Sequence, residues 1–425
     1  MQVWIGLSIP FFMGLILIEY ALSRRLRPAS YSLSDTLTNL NCGVLDQLFA
    51  LSYKAILFAV YVGVYRAAAI FELSKHSWAT WILGFLLVDL GYYWWHRTSH
   101  EVNIVWAGHV VHHSSEKYNL SVALRQSLTA VMFSWIFYLP LAVIGIPPIV
   151  FAANKVINLL YQFWIHTELI GKLGPLEWVI NTPSHHRVHH GVNPRYLDKN
   201  YAGTLIVWDR IFGSFEPESE PVIYGITKPI NSWNPLWANF HFWAELIRQS
   251  FSKSRDFKTS LMAFLRLAID GPQSINLIDN TSEYPSIHSS DYKPKETPRN
   301  PTLAILDFAP AGVGLFFLLA FFSKFNSFEI LLAASSVIVA VAFTSFDLSD
   351  QGANRSINGV NHAWRLAYLG LNLGFFAVCH NDITQNFSTL LILISGLALL
   401  VSVYASRFNS KDEKVEVWTK PIAKH

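Results

Sequence analysis

Eight histidines stand in three clusters whose residue type and spacing suit metal binding. They are His96 and His100 in WWHRTSHE, His109, His112 and His113 in WAGHVVHH, and His186, His189 and His190 in SHHRVHH. Neutral imidazole is a strong ligand for iron, zinc, copper and nickel. Residues three and four apart share one face of a helix, so each cluster can turn its ring nitrogens the same way. A structural zinc site needs four ligands and commonly uses cysteine. Here there are only two cysteines, Cys42 and Cys379. Eight imidazoles can hold two metal ions and still leave a position open for oxygen. The Glu-rich ligand pattern of soluble di-iron bundles is missing. His166 in WIHTE is a ninth candidate ligand. His185 is a weaker one, because on a helix it points elsewhere than its neighbour His186. His241, His288 and His362 have no partner spacing and read as structural or solvent-facing, and His76 is expected on the opposite side of the membrane.

Groups behind the ligands should hold each imidazole by its other ring nitrogen. Asp89, two turns before His96, is a candidate, since a carboxylate in an apolar span needs a partner. Lys54 or Arg66 would be its alternative partners. Glu116, Glu168 and Asp209 are further candidates, each of which, taken alone, reads more readily as an ordinary salt-bridge or capping residue. Glu101 directly follows the first motif.

Composition supplies the setting. The 425 residues are 52% hydrophobic and 14% charged, with a mean hydropathy of +0.30. Soluble domains carry about a quarter charged residues. Fifteen Trp, seventeen Tyr and thirty Phe give the aromatic excess of proteins at a bilayer interface. A net charge of +3 is too small to suggest nucleic acid, and no nucleic-acid partner is expected. Apolar segments are predicted at Val3–Leu22, Leu45–Phe71 and Trp78–Trp95, the last running without a breaker into His96. Leu128–Ile165 is too long for one span and has Pro147-Pro148 at its middle, which predicts two spans, Leu128–Ile146 and Ile149–Ile165. Two crossings return the chain to the side it left. All three clusters then share one side, and Arg24, Arg25 and Arg27 after the first span make that side the cytosol. Four further spans are expected at Leu303–Phe322, Phe328–Phe346, Trp364–Val378 and Ser388–Ala405.

The predicted fold is therefore an all-α polytopic membrane bundle with a cytosolic, histidine-rich di-metal cap. Residues 1–75 form N-terminal transmembrane helices, 76–250 a catalytic histidine-box region, 251–302 a polar linker, 303–408 C-terminal transmembrane helices and 409–425 a basic tail. The clusters flank the spans and no repeat is visible, which disfavours a metal transporter. H-E-x-x-H is absent, which disfavours a zinc hydrolase.

At these residues the chain resembles the fatty acid hydroxylase / sterol desaturase superfamily, whose H-x3-H, H-x2-HH, H-x2-HH pattern all eight histidines match. Within it, the stretches YYWWHRTSHEVNIVWAGHVVHHSSEKYNLSVALRQS, LLYQFWIHTELIGKLGPLEWVINTPSHHRVHHG and DKNYAGTLIVWDRIFGSFE resemble the alkylglycerol monooxygenases, as does Lys228-Pro229-Ile230 after YGIT. The resemblance implies a di-iron oxygenase that takes a lipid from the bilayer, uses O2 and takes electrons from tetrahydrobiopterin. It implies hydroxylation of the ether-bearing carbon of an alkylglycerol, giving a fatty aldehyde and a glycerol derivative. Glu101 matches the carboxylate after the first motif of those enzymes and is a catalytic candidate. Tyr118, Asn119 and Arg125 are candidates for contact with headgroup or pterin. Trp94, Trp95, Trp106, Phe133, Trp135 and Phe163 are candidate walls of a lipid-tail pocket. A pterin-regenerating reductase is an expected partner, and the membrane is that of the endoplasmic reticulum in a eukaryote or the inner membrane in a bacterium. The histidine pattern is shared with sterol, fatty acid and carotenoid hydroxylases and desaturases, which is the alternative reading.

Overall fold

The long apolar runs fold as helices, and the computed structural model describes them over residues 2–27, 29–252, 256–272, 300–348, 358–379 and 381–416. The elements are α1 (Gln2–Leu26), α2 (Leu33–Ala68), α3 (Trp78–Glu101), α4 (Asn103–Trp106), α5 (Val110–His113), α6 (Val131–Ser134), α7 (Leu139–Ile144), α8 (Pro148–Trp164), α9 (Pro183–His189) and α10 (Val207–Ile211). They continue as α11 (Pro235–Phe251), α12 (Phe257–Ile269), α13 (Pro301–Ala320), α14 (Ser327–Asp347), α15 (Asn358–Val378) and α16 (Asp382–Glu416). Among the described residues the one β interaction is an isolated antiparallel bridge between Gly191 and Tyr224. Contacts divide the chain into two compact units, Met13–Lys295 and Met1–Phe12 with Glu296–His425.

Among the described residues, five helical segments are long and apolar enough to cross a membrane: Gly6–Leu26, Leu33–Ala68, Pro301–Ala320, Ser327–Phe346 and Asp382–Tyr404. The protein is an integral membrane protein. α3, α8 and α15 were expected to span and are not among the five. α3 carries Asp89 and ends in the polar run His96–Glu101, α8 has 17 residues, and α15 carries His362, Arg365 and Asn372.

The segment Leu128–Ile146 departs most from expectation. In place of one span it holds α6, a 3-10 turn at Trp135–Tyr138 and α7. Pro140 has no amide proton for a continuing helical ladder, which accounts for the break. Gly145, with φ 104°, ends α7, and a Cβ there would lie 2.0 Å from the Phe71 carbonyl oxygen. Pro147-Pro148 then starts α8, as the prolines predicted. The hairpin packs through Tyr138, Leu141, Ala142, Ile146 and Val150 against Tyr61 of α2 and Val88 of α3, and the Tyr61 hydroxyl donates to the Ile146 carbonyl at 3.0 Å. Although shorter than a full crossing, it returns the chain to the end of α3.

In the other unit, Arg365 of α15 forms a buried bidentate pair with Asp307 of α13, at 2.9 and 2.6 Å. Most of the segment read as a polar linker lies outside the described residues, but its N-terminal part forms α12. The end of the basic tail also lies outside them.

Candidate metal centre

α3 delivers His96 and His100 one turn apart, and α5 with its N-cap delivers His109, His112 and His113. His166 follows the C-terminus of α8, and α9 with its C-cap delivers His186, His189 and His190. All nine rings are buried. They form two sets. His96, His100, His109, His113 and His189 make one, and His112, His166, His186 and His190 the other, with the ligand nitrogens of each set within 4.8 Å of one another. Adjacent helical residues point about 100° apart. His112 and His113, and likewise His189 and His190, therefore face different sets. The sets adjoin, with the His113 and His190 rings stacked 4.4 Å apart.

The hydrogen bonds settle which nitrogen faces inward. Nδ1 of His96 donates to the Tyr201 carbonyl (2.7 Å), that of His112 to Arg125 (3.2 Å), that of His166 to Gln162 (2.7 Å) and that of His189 to Lys199 (2.9 Å). A neutral ring has one N–H, so each of these Nε2 atoms turns a bare lone pair into the centre. Nε2 of His112 and Nε2 of His166 lie 3.3 Å apart with no proton to share between them. That contact is repulsive unless a cation sits beside both. Nitrogens each about 2.0–2.1 Å from one ion, at angles of 90–109°, are separated by about 2.9 to 3.4 Å. The Nε2 separations within the sets, 3.0 Å for His96–His109, 3.1 Å for His109–His113, 3.0 Å for His166–His186 and 3.2 Å for His186–His190, fall in that range. Nε2 of His100 and of His189 is buried without a hydrogen-bond partner. The donor set fits a transition-metal pair.

Burial, more than any neighbour, lowers the imidazole pKa values, to about 4 for His112 and about 3 for His189, and well below 6.5 for His109, His113, His166, His186 and His190. The rings are neutral at pH 7, the state that ligates.

The carboxylates expected behind the imidazoles act one step further out. Asp89 accepts from the Thr204 and Leu205 amides, the Trp208 indole and Asn158, and not from Lys54 or Arg66. Asp209 accepts from the Tyr201 and Ala202 amides and the Ser214 hydroxyl. Between them they fix the loop whose Lys199 and Tyr201 carbonyls hold His189 and His96. Burial raises the Asp209 pKa to about 6, against these three hydrogen bonds. Glu101 is half exposed and pairs with Arg97 at 2.8 Å. Glu168 is hydrogen-bonded to Tyr224, and Glu116 lines a small cavity with Asp35 and Arg125.

Tyr118 is buried, donates to the Ile165 carbonyl and stacks on Tyr224, with its ring 5.3 Å from that of His190. Asn119 caps the 3-10 turn at Leu120–Leu124 and donates to the Ser30 carbonyl. Arg125 is buried against Val111, Ser114 and Asn39. All three side chains are engaged by the protein itself. Trp95 stacks on His96, and Trp106 lies 4.9 Å from His100. Phe163 is buried, Phe133 packs on Trp243 and the Trp135 indole donates to Met132, while Trp94 is partly exposed beside Phe212. His185 joins neither set and packs on Phe215. His241 bonds the Ala238 carbonyl, His362 meets Ser402 and His76 is exposed. His288 lies outside the described residues.

Sequence reasoning missed Glu19 of α1, buried and accepting from Tyr31, the Leu120 amide and the Thr167 hydroxyl beside His166. A lone carboxylate in the first apolar span was the available signal. It also missed Asn200, which at φ 55° ties the loop to His185 and Glu216.

Residues 81–214 match the family described as Fatty acid hydroxylase. The chain is 42% identical to an alkylglycerol monooxygenase of Danio rerio over 82% of its length and 77% of the relative's. It is 53% identical to that of Homo sapiens over 55% of each chain, and 53% identical to that of Xenopus tropicalis over 53% of its own length and 50% of the relative's. In the last two cases it spans about half the length of the curated relative. No solved structure matches.

Proposed function

The chain belongs to the alkylglycerol monooxygenase family, and from that premise we propose that it is a membrane-bound oxygenase that cleaves the ether bond of alkylglycerol lipids. The two histidine sets would hold two iron ions, and tetrahydrobiopterin would be the reductant. The observation that carries the reading is the inward-facing pair of lone pairs on His112 and His166, 3.3 Å apart in a buried all-imidazole centre.

The proposed reaction inserts one oxygen atom of O2 into the C–H bond next to the ether oxygen. The other leaves as water, with two electrons and two protons drawn from the pterin. The hemiacetal so formed collapses to a fatty aldehyde and the free glycerol hydroxyl. When bound, the metal pair supplies oxygen activation. The protein's part is positional. Backbone carbonyls at 125, 162, 199 and 201 lock four rings in one tautomer, and Trp95 and Trp106 wall the first set against water. The centre is proposed to face the cytosol, at the endoplasmic reticulum in a eukaryote or the inner membrane in a bacterium, on the strength of Arg24 and Arg25 ending α1. An enzyme that regenerates the pterin would be its partner.

The test is aerobic incubation with a 1-O-alkylglycerol and tetrahydrobiopterin, followed by detection of the aldehyde. His113→Ala is expected to abolish the product while the protein stays membrane-inserted. Undiminished aldehyde in that variant, or turnover of a sterol or free fatty acid in place of the ether lipid, would overturn the reading.

A further inference from the structure

α11 and α12 each turn one face to the metal centre and another away from the protein. Their inner faces share one cluster. Phe242 and Leu246 of α11 are buried there with Ala107 and Val110, which flank His109, and Phe264 and Leu267 of α12 pack against them. The Asn103 side chain donates to the Leu267 carbonyl at 2.8 Å. Helical spacing decides what the outer faces carry. Trp237, Phe240, Ala244, Ile247 and Phe251 follow one another along α11 at alternating steps of three and four residues, and all are exposed. Phe257, Leu261, Leu265 and Ile269 follow at steps of four along α12, with Phe257 69% and Ile269 72% exposed. Outer faces this apolar mark a contact with protein or membrane.

Position and length select the membrane. Ala238 of α11 packs on Cys42 of α2. Cys42 lies seven residues, or about 10 Å along the helix, from Phe49, where the large apolar side chains of that span first become exposed. α11 is therefore held beside the place where α2 enters the bilayer. On its flank Trp243 stacks on Phe133, next to the exposed Met132 and Ile136, so the apolar surface continues past the helix. α11 has 17 residues and α12 has 13. At about 1.5 Å per residue both are shorter than a ~30 Å hydrocarbon core. A short helix with one apolar stripe and a charged flank lies in the plane of a bilayer surface and does not cross it.

Charge agrees. From Pro235 to Ile269 the sequence holds Arg248, Lys253, Arg255, Lys258 and Arg266 against Glu245 and Asp256. Glu245 is paired with Arg248, and Asp256 caps α12 through the Thr259 amide. The excess is basic, which suits the phosphates of lipid headgroups.

We propose that α11 and α12 lie flat in the surface layer of the protein's own membrane, with both apolar stripes among the acyl chains and the basic residues at the headgroup phosphates. Their inner faces pack on the segment that carries His109, His112 and His113, so this docking sets the histidine centre at the bilayer surface. The proposal needs neither metal nor turnover, so it stands or falls apart from the ether-cleavage reading.

The test uses the full chain in vesicles of phosphatidylcholine and phosphatidylglycerol. Cys379→Ala leaves Cys42, which is fully buried, as the remaining native cysteine. Ile247→Cys, Leu261→Cys and Leu265→Cys are added to it one at a time and labelled with a nitroxide. Ala263→Cys, exposed on the side of Thr259 and Arg266, is the reference. Power-saturation electron paramagnetic resonance then compares collisions with O2, which concentrates among acyl chains, and with a water-soluble nickel chelate. At 247, 261 and 265 the ratio of O2 to nickel collisions is expected to exceed that at 263 about threefold or more, as for side chains about 5–10 Å below the headgroups. A ratio at those three positions no higher than at 263 would put the stripes in water. Low collision with both agents would put them under protein, and dipolar broadening between labels would then identify a second copy as the cover. Either result would overturn the proposal.

Discussion

At the scale of single residues, the chemistry rests on which nitrogen of each imidazole is free. Carbonyl oxygens make that choice for four rings, and buried carboxylates hold the loop that carries two of them, Lys199 and Tyr201. Asp209→Asn tests this arrangement. The carboxylate accepts three hydrogen bonds, at 2.7, 2.8 and 2.7 Å. An amide has one acceptor oxygen and an NH2 that opposes a donor, so at least one of these donors loses its partner. The expected cost is about 1–3 kcal/mol of stability. Metal affinity is expected to fall roughly 10–100-fold, as for other groups that orient a ligand from behind. Metal content after dialysis and a thermal melt measure both. Unchanged metal content would show that the Tyr201 carbonyl does not depend on Asp209. Sequence pointed to Asp89 and Asp209 as buried partners but not to their true contacts, because hydrogen bonds to backbone leave no trace in residue spacing.

At the scale of elements, the loop after Lys199 is as much a part of the centre as α3 or α9. It passes so close to α3 and α8 that a Cβ on Gly203 would meet Tyr92 Cδ1 at 2.8 Å, Asn158 Nδ2 at 2.9 Å and Asp89 Oδ1 at 3.0 Å. Gly203→Ala is expected to cost about 1–3 kcal/mol through overpacking and to lower metal occupancy by displacing the carbonyls at 199 and 201. A variant with wild-type stability and occupancy would show that the loop can shift freely. The hairpin between α6 and α8 shows the limit of hydropathy. Leu128–Ile146 has the composition of a span, but Pro140 and Gly145 divide it into pieces, and composition averages over such breaks.

At the scale of the molecule, the buried imidazoles link metal, proton and fold. In the chelated protein, rings such as His112 and His189 stay neutral until pH falls to about 4 and 3, whereas the unfolded chain protonates them near 6.5. Below 6.5 the unfolded state therefore binds more protons. Stability is level above that pH and falls as pH drops toward 4, by about 1.4 kcal/mol per pH unit for each such ring. Melting temperatures of the chelated chain from pH 8 to 4 measure it, and a flat profile would contradict buried neutral rings. At pH 7.5, chelation itself should lower the melting temperature, because a ligand bound only by the folded state stabilises it.

The eight motif histidines, the helical class and the Pro-Pro turn were all legible in the sequence, because ligand type, 3.6-residue periodicity and proline chemistry are local properties. How the rings divide was not. H-x2-HH does not say that His112 leaves His113 for the set of His166, or that His189 and His190 part company. That partition depends on the angle at which α3, α5, α8 and α9 meet, which is fixed by packing between segments up to a hundred residues apart.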